Sequence, residues 1–278
     1  MSVLDILQYT FVQNALLGSL LTSIICGMIG TYIVTRRLVF ITGGITHASF
    51  GGVGFGVFTG LPPVLSAAIF AVLSAFGIQW LSSGRSIRED SAIAVVWALG
   101  MSLGILFCYL SPEFVPDLSS YLFGNILAVT HADILLQLVL VILIGLLFVF
   151  FLRPIQFIAF DTDYARSQHL PVKAFEYILM ALIGLTIVST LRLVGIVLAI
   201  SLLTVPQMTA NIFTQNYKKM IGVSILVGFV SCMGGLFSAF AYNIPSGAAI
   251  IFVSICIYLF CKFIRYIFYR LKTKEHGD

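Results

Sequence analysis

Nine apolar runs, each close to the length a helix needs to cross a bilayer, constrain this chain more than any other feature. They lie near residues 11–35, 43–61, 63–83, 91–110, 132–152, 174–192, 193–213, 221–242 and 247–268. About 20 helical residues rise roughly 30 Å, the thickness of the hydrocarbon core. Without water, a spanning backbone must satisfy its own N–H and C=O groups, and runs of this length do so as helices. Composition agrees: of 278 residues 60% are hydrophobic and 9% charged, against about 25% charged in a soluble domain. The sequence predicts an all-α integral membrane protein embedded in the lipid bilayer. It reads as one transmembrane domain over residues 1–278, a polytopic bundle of about eight or nine transmembrane helices. One break near Arg192 must separate the sixth and seventh runs.

The cations set an orientation. Arg36 and Arg37, then Arg85 and Arg88, then Arg153, Arg166 and Lys173, then Lys218 and Lys219 occupy alternate junctions. The tail over residues 262–278 adds Lys262, Arg265, Arg270, Lys272 and Lys274, and only Arg192 departs from the pattern. By the positive-inside rule these junctions and the C-terminus are cytoplasmic and the N-terminus is outside. Cations confined to junctions make a topology signal, so the net charge of +4 does not imply a nucleic-acid partner. The first basic residue, Arg36, follows the first run, so that run is expected to be a retained helix and not a cleaved signal. Cys26, Cys108, Cys232, Cys256 and Cys261 lie mostly in apolar runs without a CxxC pair. They are expected to be buried free thiols, neither disulfides nor a zinc site.

One basic junction is longer than the rest. Residues 153–173, RPIQFIAFDTDYARSQHLPVK, have the length for a short helix at the membrane surface, where a soluble partner would dock; a solvated linker is the alternative.

The second run, GGITHASFGGVGFGVFTG over residues 43–60, is unusually rich in glycine. Gly52, Gly56 and Gly60 recur every fourth residue and form a stripe that lets helices approach closely in lipid. His47 lies on another face with Gly51 and Gly54, which leaves room beside the imidazole. A buried histidine serves as a hydrogen-bonded packing residue or lines a transport path with Thr46; both readings stand. Pro206, within SLLTVPQMTAN at residues 201–211, removes a backbone donor and is expected to kink the seventh run. Thr204 and Gln207 flank it, and such breaks are tolerated where they face protein or a wet cavity. Glu89 and Asp90 are expected to complement a helix N-terminus, and Asp133 and Glu176 to act as caps or interface groups.

The sequence contains no GxxxxGK[ST] loop, HExxH site or GxSxG elbow, so nucleotide hydrolysis must come from elsewhere. A gradient-driven carrier is expected to carry inverted repeats and membrane-buried carboxylates, which this chain lacks. A membrane-embedded enzyme needs a nucleophile and base or paired acids, and these are also missing.

Taken in order, GTYIVTRRLVFITGGITHASFGGVGFG, REDSAIAVVWALGMSLGIL, SYLFGNIL, FDTDYARSQHLPV and LLTVPQMTAN resemble the permease subunits of the ABC-3 family, bacterial metal-ion ABC importers. The resemblance implies a type II ABC importer-like fold in the inner membrane and a homodimer with the pathway at its interface. It also implies a separate cytoplasmic ATPase subunit that uses ATP, and an extracytoplasmic metal-binding protein docking on outer loops that include residues 111–125. No cofactor is then bound by this chain. The cargo implied is zinc, manganese or iron, with a metal chelate or other small ligand as alternative. His47 becomes the candidate metal contact, with Thr46, Thr204 and Gln207 along the path. The segment of about residues 156–171, with Phe160, Asp161, Asp163, Ala165 and Arg166, corresponds to the helix that couples to the ATPase. Three positions depart from the family pattern: Gly43 stands where an Asp is usual four residues before His47, His169 replaces a usual Gly, and Ala94 replaces another.

Overall fold

The computed structural model describes residues 10–83, 87–111 and 129–275. The outer loop with Glu113 and Asp117, the SYLFGNIL fragment, Arg85, and the side chains of Arg192, Lys272 and Lys274 lie outside the described residues. Among the described residues ten helices follow one another: α1 (Thr10–Thr35), α2 (Val39–Thr59), α3 (Pro63–Ser83), α4 (Glu89–Leu110), α5 (His131–Phe160), α6 (Thr162–Ser167), α7 (Val172–Leu202), α8 (Val205–Phe213), α9 (Tyr217–Tyr242) and α10 (Ser246–Glu275).

Among the described residues seven helices are long and apolar enough to cross a membrane. An eighth, α2, has the length at 21 residues, but its glycines, threonines and His47 dilute its hydropathy. The expected sixth and seventh spans meet within α7, and the break expected near Arg192 falls three residues on, at Gly195. Gly195 has φ 76° and ψ 173°, a conformation essentially reserved for glycine. Beyond the break the apolar stretch is short and ends in α8. Pro206 therefore does not kink a continuous span. It occupies the first turn of α8, where its missing N–H leaves no intrahelical bond unmade.

The α1 and α7 helices sit centrally; α4, α5 and α10 turn most of their surface outward. Outward residues such as Leu99, Val149 and Phe252 are large and apolar, as a lipid-facing surface requires. Cys26 and Cys232 are buried, but Cys256 is exposed on α10, contrary to the expectation of burial. Between helices, hydrocarbon offers no hydrophobic drive, so close packing and polar contacts hold the bundle. Gln137 donates to Thr22 Oγ1 at 2.8 Å, joining α5 to α1.

The glycine-rich α2 shows the close-packing device most plainly. A Cβ on Gly52 would lie 2.4 Å from the Ser66 carbonyl of α3, and one on Gly56 2.9 Å from Pro63 Cα. On another face a Cβ on Gly54 would lie 2.5 Å from the Gly104 carbonyl of α4. Both neighbours pack on α2 along glycine faces. Gly60 corrects the expected stripe: nothing lies within 4 Å of it. With φ 73° it ends α2 as a left-handed cap, a role glycine fills without steric cost.

Candidate functional site

Two places gather the residues singled out in the sequence. The first is the surface of α2 around His47. The room expected beside the imidazole is taken by α4, which Gly51 and Gly54 admit. Trp97 of α4 stacks on the His47 ring at 4.4 Å between centroids and 3° between planes. His47 is half-buried, and its Nδ1 is buried without a hydrogen-bond partner. Gly43, one turn earlier, has only Ile200 Cδ1 near its missing side chain, at 4.0 Å. A carboxylate there would have space; glycine supplies none.

Thr46 and Thr204 turn inward. Thr46 is fully buried and donates to the Thr42 carbonyl within its own helix. Thr204 donates to the Ile200 carbonyl at 2.8 Å. Gln207 is also fully buried; its Nε2 donates to the Cys26 carbonyl at 2.7 Å and the Leu202 carbonyl at 3.2 Å. It bolts α8 to α1, and Gly30 makes room for it, since a Cβ there would lie 2.5 Å from Nε2. The four candidates differ in burial: His47 is half-buried, whereas Thr46, Thr204 and Gln207 are buried. Among the described residues no three His, Cys, Asp or Glu side chains converge.

The second place is the helix that follows α5. Pro154 removes a helical N–H, and α5 bends at Phe151 (φ −117°, ψ 23°) before running on to Phe160. Asp161 then caps α6, its Oδ1 accepting from the N–H of Asp163 at 2.9 Å and of Tyr164 at 3.0 Å. At the other end, the His169 N–H bonds the Arg166 carbonyl and the Leu170 N–H the Ala165 carbonyl. These two bonds make a Schellman cap with His169 as its left-handed residue, φ 58°. A glycine would sit there without strain, which gives the His169 departure a physical meaning. Ala165 is fully buried against Ile158, Val172, Leu170 and Phe175, so α6 is pinned by one small side chain. Phe160 is 65% exposed, and Asp163 pairs with Arg166 at 2.9 Å on the outer surface.

A polar network that the sequence did not reveal ties this helix to the bundle. Arg36, at the end of α1, donates to Glu176 Oε1 of α7 at 2.7 Å and to the Ile158 carbonyl of α5 at 3.0 Å. Gln79 of α3 donates to the other Glu176 oxygen at 3.1 Å. These groups line a cavity of about 350 Å³ shared with Glu89, Thr162, Arg166 and Lys173. Glu176 is thus an interhelical anion and not a cap, while Asp133 forms a capping box with Thr130. Arg36 and Glu176 stand 140 residues apart, and no local pattern announces their pairing.

A family model described as the ABC 3 transport family matches residues 8–265. The chain belongs to the ABC 3 transport family. Among curated relatives, an uncharacterized membrane protein of Synechocystis is 38% identical over 93% of this chain and 92% of its own length. A manganese transport system membrane protein of Halalkalibacterium halodurans is 32% identical, with coverage of 93% and 89%. A probable iron transport system membrane protein of Haemophilus influenzae is 31% identical, with coverage of 92% and 94%. Among solved structures, PsaBC from Streptococcus pneumoniae in complex with Fab is 29% identical and superposes with a TM-score of 0.85 over 97% of this chain and 98% of that one. The all-α permease architecture read from the sequence is therefore the fold of this family.

Proposed function

We propose that this chain is the membrane-spanning permease of an ATP-driven importer for divalent transition-metal ions, in which a separate ATPase supplies the energy. The observation that carries the reading is the α5–α6 corner: an exposed Phe160 ends α5, and the short, capped α6 that follows is anchored by a buried Ala165. It is built to receive force from a soluble partner and pass it on. The route inward runs through Ile158 and Arg36 into α1, and through Glu176 into α3 and α7. Names of relatives in manganese and iron transport support the cargo class.

In this reading the lysine- and arginine-bearing end is cytoplasmic, in a bacterial inner membrane. ATP is bound by the partner, and the chain itself is not an enzyme. Two copies form the pathway, and an extracytoplasmic binding protein delivers the ion. His47 offers one neutral nitrogen donor at the α2 surface, and Gly43 withholds the carboxylate that would make a tight hard-ion site. Sparse ligation suits transit, because a strongly held ion is not released.

Co-purification tests the docking part. Phe160→Ala and an Ala165→Asp variant are expected to lose the ATPase from the detergent-solubilised complex, the first with the permease fold intact. Retention of the ATPase by both variants would overturn the assignment of α6.

A further inference from the structure

The end of α10 carries a feature that transport does not use. Between residues 177 and 274 there is no Asp or Glu, while eight Lys and Arg occur. Two of these, Lys262 and Arg265, face a cleft of about 330 Å³ between α8 and α10, lined also by Ile212, Tyr258 and Tyr266. Arg265 donates to the Ile212 carbonyl near the end of α8, which fixes its guanidinium at the cleft wall and satisfies a terminal carbonyl. The Lys262 ammonium lies 5.8 Å from the Tyr258 ring centre, within cation–π range.

The depth of the cleft is set by helix length. From Ser246, Lys262 lies about 24 Å along the axis and Arg265 about 28 Å, at roughly 1.5 Å per residue. A hydrocarbon core is about 30 Å thick, so both backbone positions fall within about 6 Å of its far boundary, from where long cationic side chains reach the headgroups, flanked by tyrosines that prefer that boundary. An apolar floor from Ile212 with two cations at its rim matches a molecule with acyl chains below and a phosphodiester above. A soluble anion would have no use for the floor.

We propose that the α8–α10 cleft is a binding site for an anionic phospholipid headgroup, held by Lys262 and Arg265 between Tyr258 and Tyr266. The site goes beyond the transport reading and stands or falls without it. Native mass spectrometry of the purified full-length chain, titrated with dioleoyl-phosphatidylglycerol or dioleoyl-phosphatidylcholine, tests it. Wild type should retain phosphatidylglycerol over phosphatidylcholine. Each cation near an anionic surface contributes on the order of fivefold in affinity, so Lys262→Gln with Arg265→Gln should weaken retention roughly 30-fold. Lys262→Arg should retain it, and so should Arg88→Gln, which removes an exposed cation at the start of α4, away from the cleft. Equal retention of the two lipids, or an Arg88→Gln loss as large as that of the double variant, would overturn the site in favour of diffuse surface charge. Displacement of the lipid by 10 mM inorganic phosphate would overturn it in favour of a free-anion site. If the double variant does not fold, the wild-type lipid preference and the Lys262→Arg result still decide.

Discussion

Substituting Gly52 by alanine tests how α2 is held. The added Cβ would meet the Ser66 carbonyl at 2.4 Å, Ala67 Cα at 2.7 Å and Phe70 Cβ at 2.8 Å. Two of those atoms belong to the α3 backbone, so no side-chain rotation relieves the clash. Ordinary contact begins near 3.4 Å, and α2 and α3 must separate locally by about 1 Å. A gap of that size forfeits a quarter to a half of each neighbouring dispersion contact. Overpacking of this kind costs about 1–3 kcal/mol, and a backbone obstruction places Gly52→Ala at the upper end, about 3 kcal/mol. For a chain of this size that is a fall in Tm of roughly 6–12 °C. Gly145→Ala is the control, since nothing lies within 4 Å of Gly145 in α5 and alanine is the better helix former by about 1 kcal/mol. Thermal unfolding in detergent, followed by intrinsic fluorescence, should show the first variant destabilised and the second unchanged or more stable. A Gly52→Ala variant that melts with wild type, or a Gly145→Ala variant that falls as far, would refute the close approach.

Three further substitutions probe the site. Arg36→Lys should lower stability by about 2 kcal/mol in denaturant unfolding, because one ammonium cannot reproduce a guanidinium that serves Glu176 and the Ile158 carbonyl together; no change would dismiss the network. His169→Gly should raise stability by about 1 kcal/mol by relieving the left-handed backbone, read as a higher unfolding midpoint, whereas a lower one would contradict the cap. Gln207→Leu should cost about 1–3 kcal/mol by removing the amide's bond to the Cys26 carbonyl and leaving the Leu202 carbonyl at the end of α7 without a donor, with a midpoint equal to wild type as the refuting result.

Much of this architecture is legible in the sequence because lipid simplifies the code. Spans announce themselves by length and apolarity, and the alternating cations mark their ends. The short helix α6 was visible as the single long basic junction, since Asp161 and the polar residues after it cannot continue a span. What the sequence hid is long-range or conformational. The break at Gly195 needs a φ and ψ that many glycines in this chain do not adopt. Gly60 shares the spacing of Gly52 and Gly56 but lies past the packed face. His47 and Gln207 look alike as polar residues in apolar runs. Only packing separates them, one against Trp97 near the surface and the other clamped to α1.

Flux of radiolabelled manganese into sealed proteoliposomes tests the central claim most directly, with the permease reconstituted alone or together with its ATPase, each with and without ATP. Accumulation that needs both the ATPase and ATP, and that slows when His47 is replaced by alanine, is the predicted result. Uptake by the permease alone, driven by an ion gradient and indifferent to nucleotide, would contradict it.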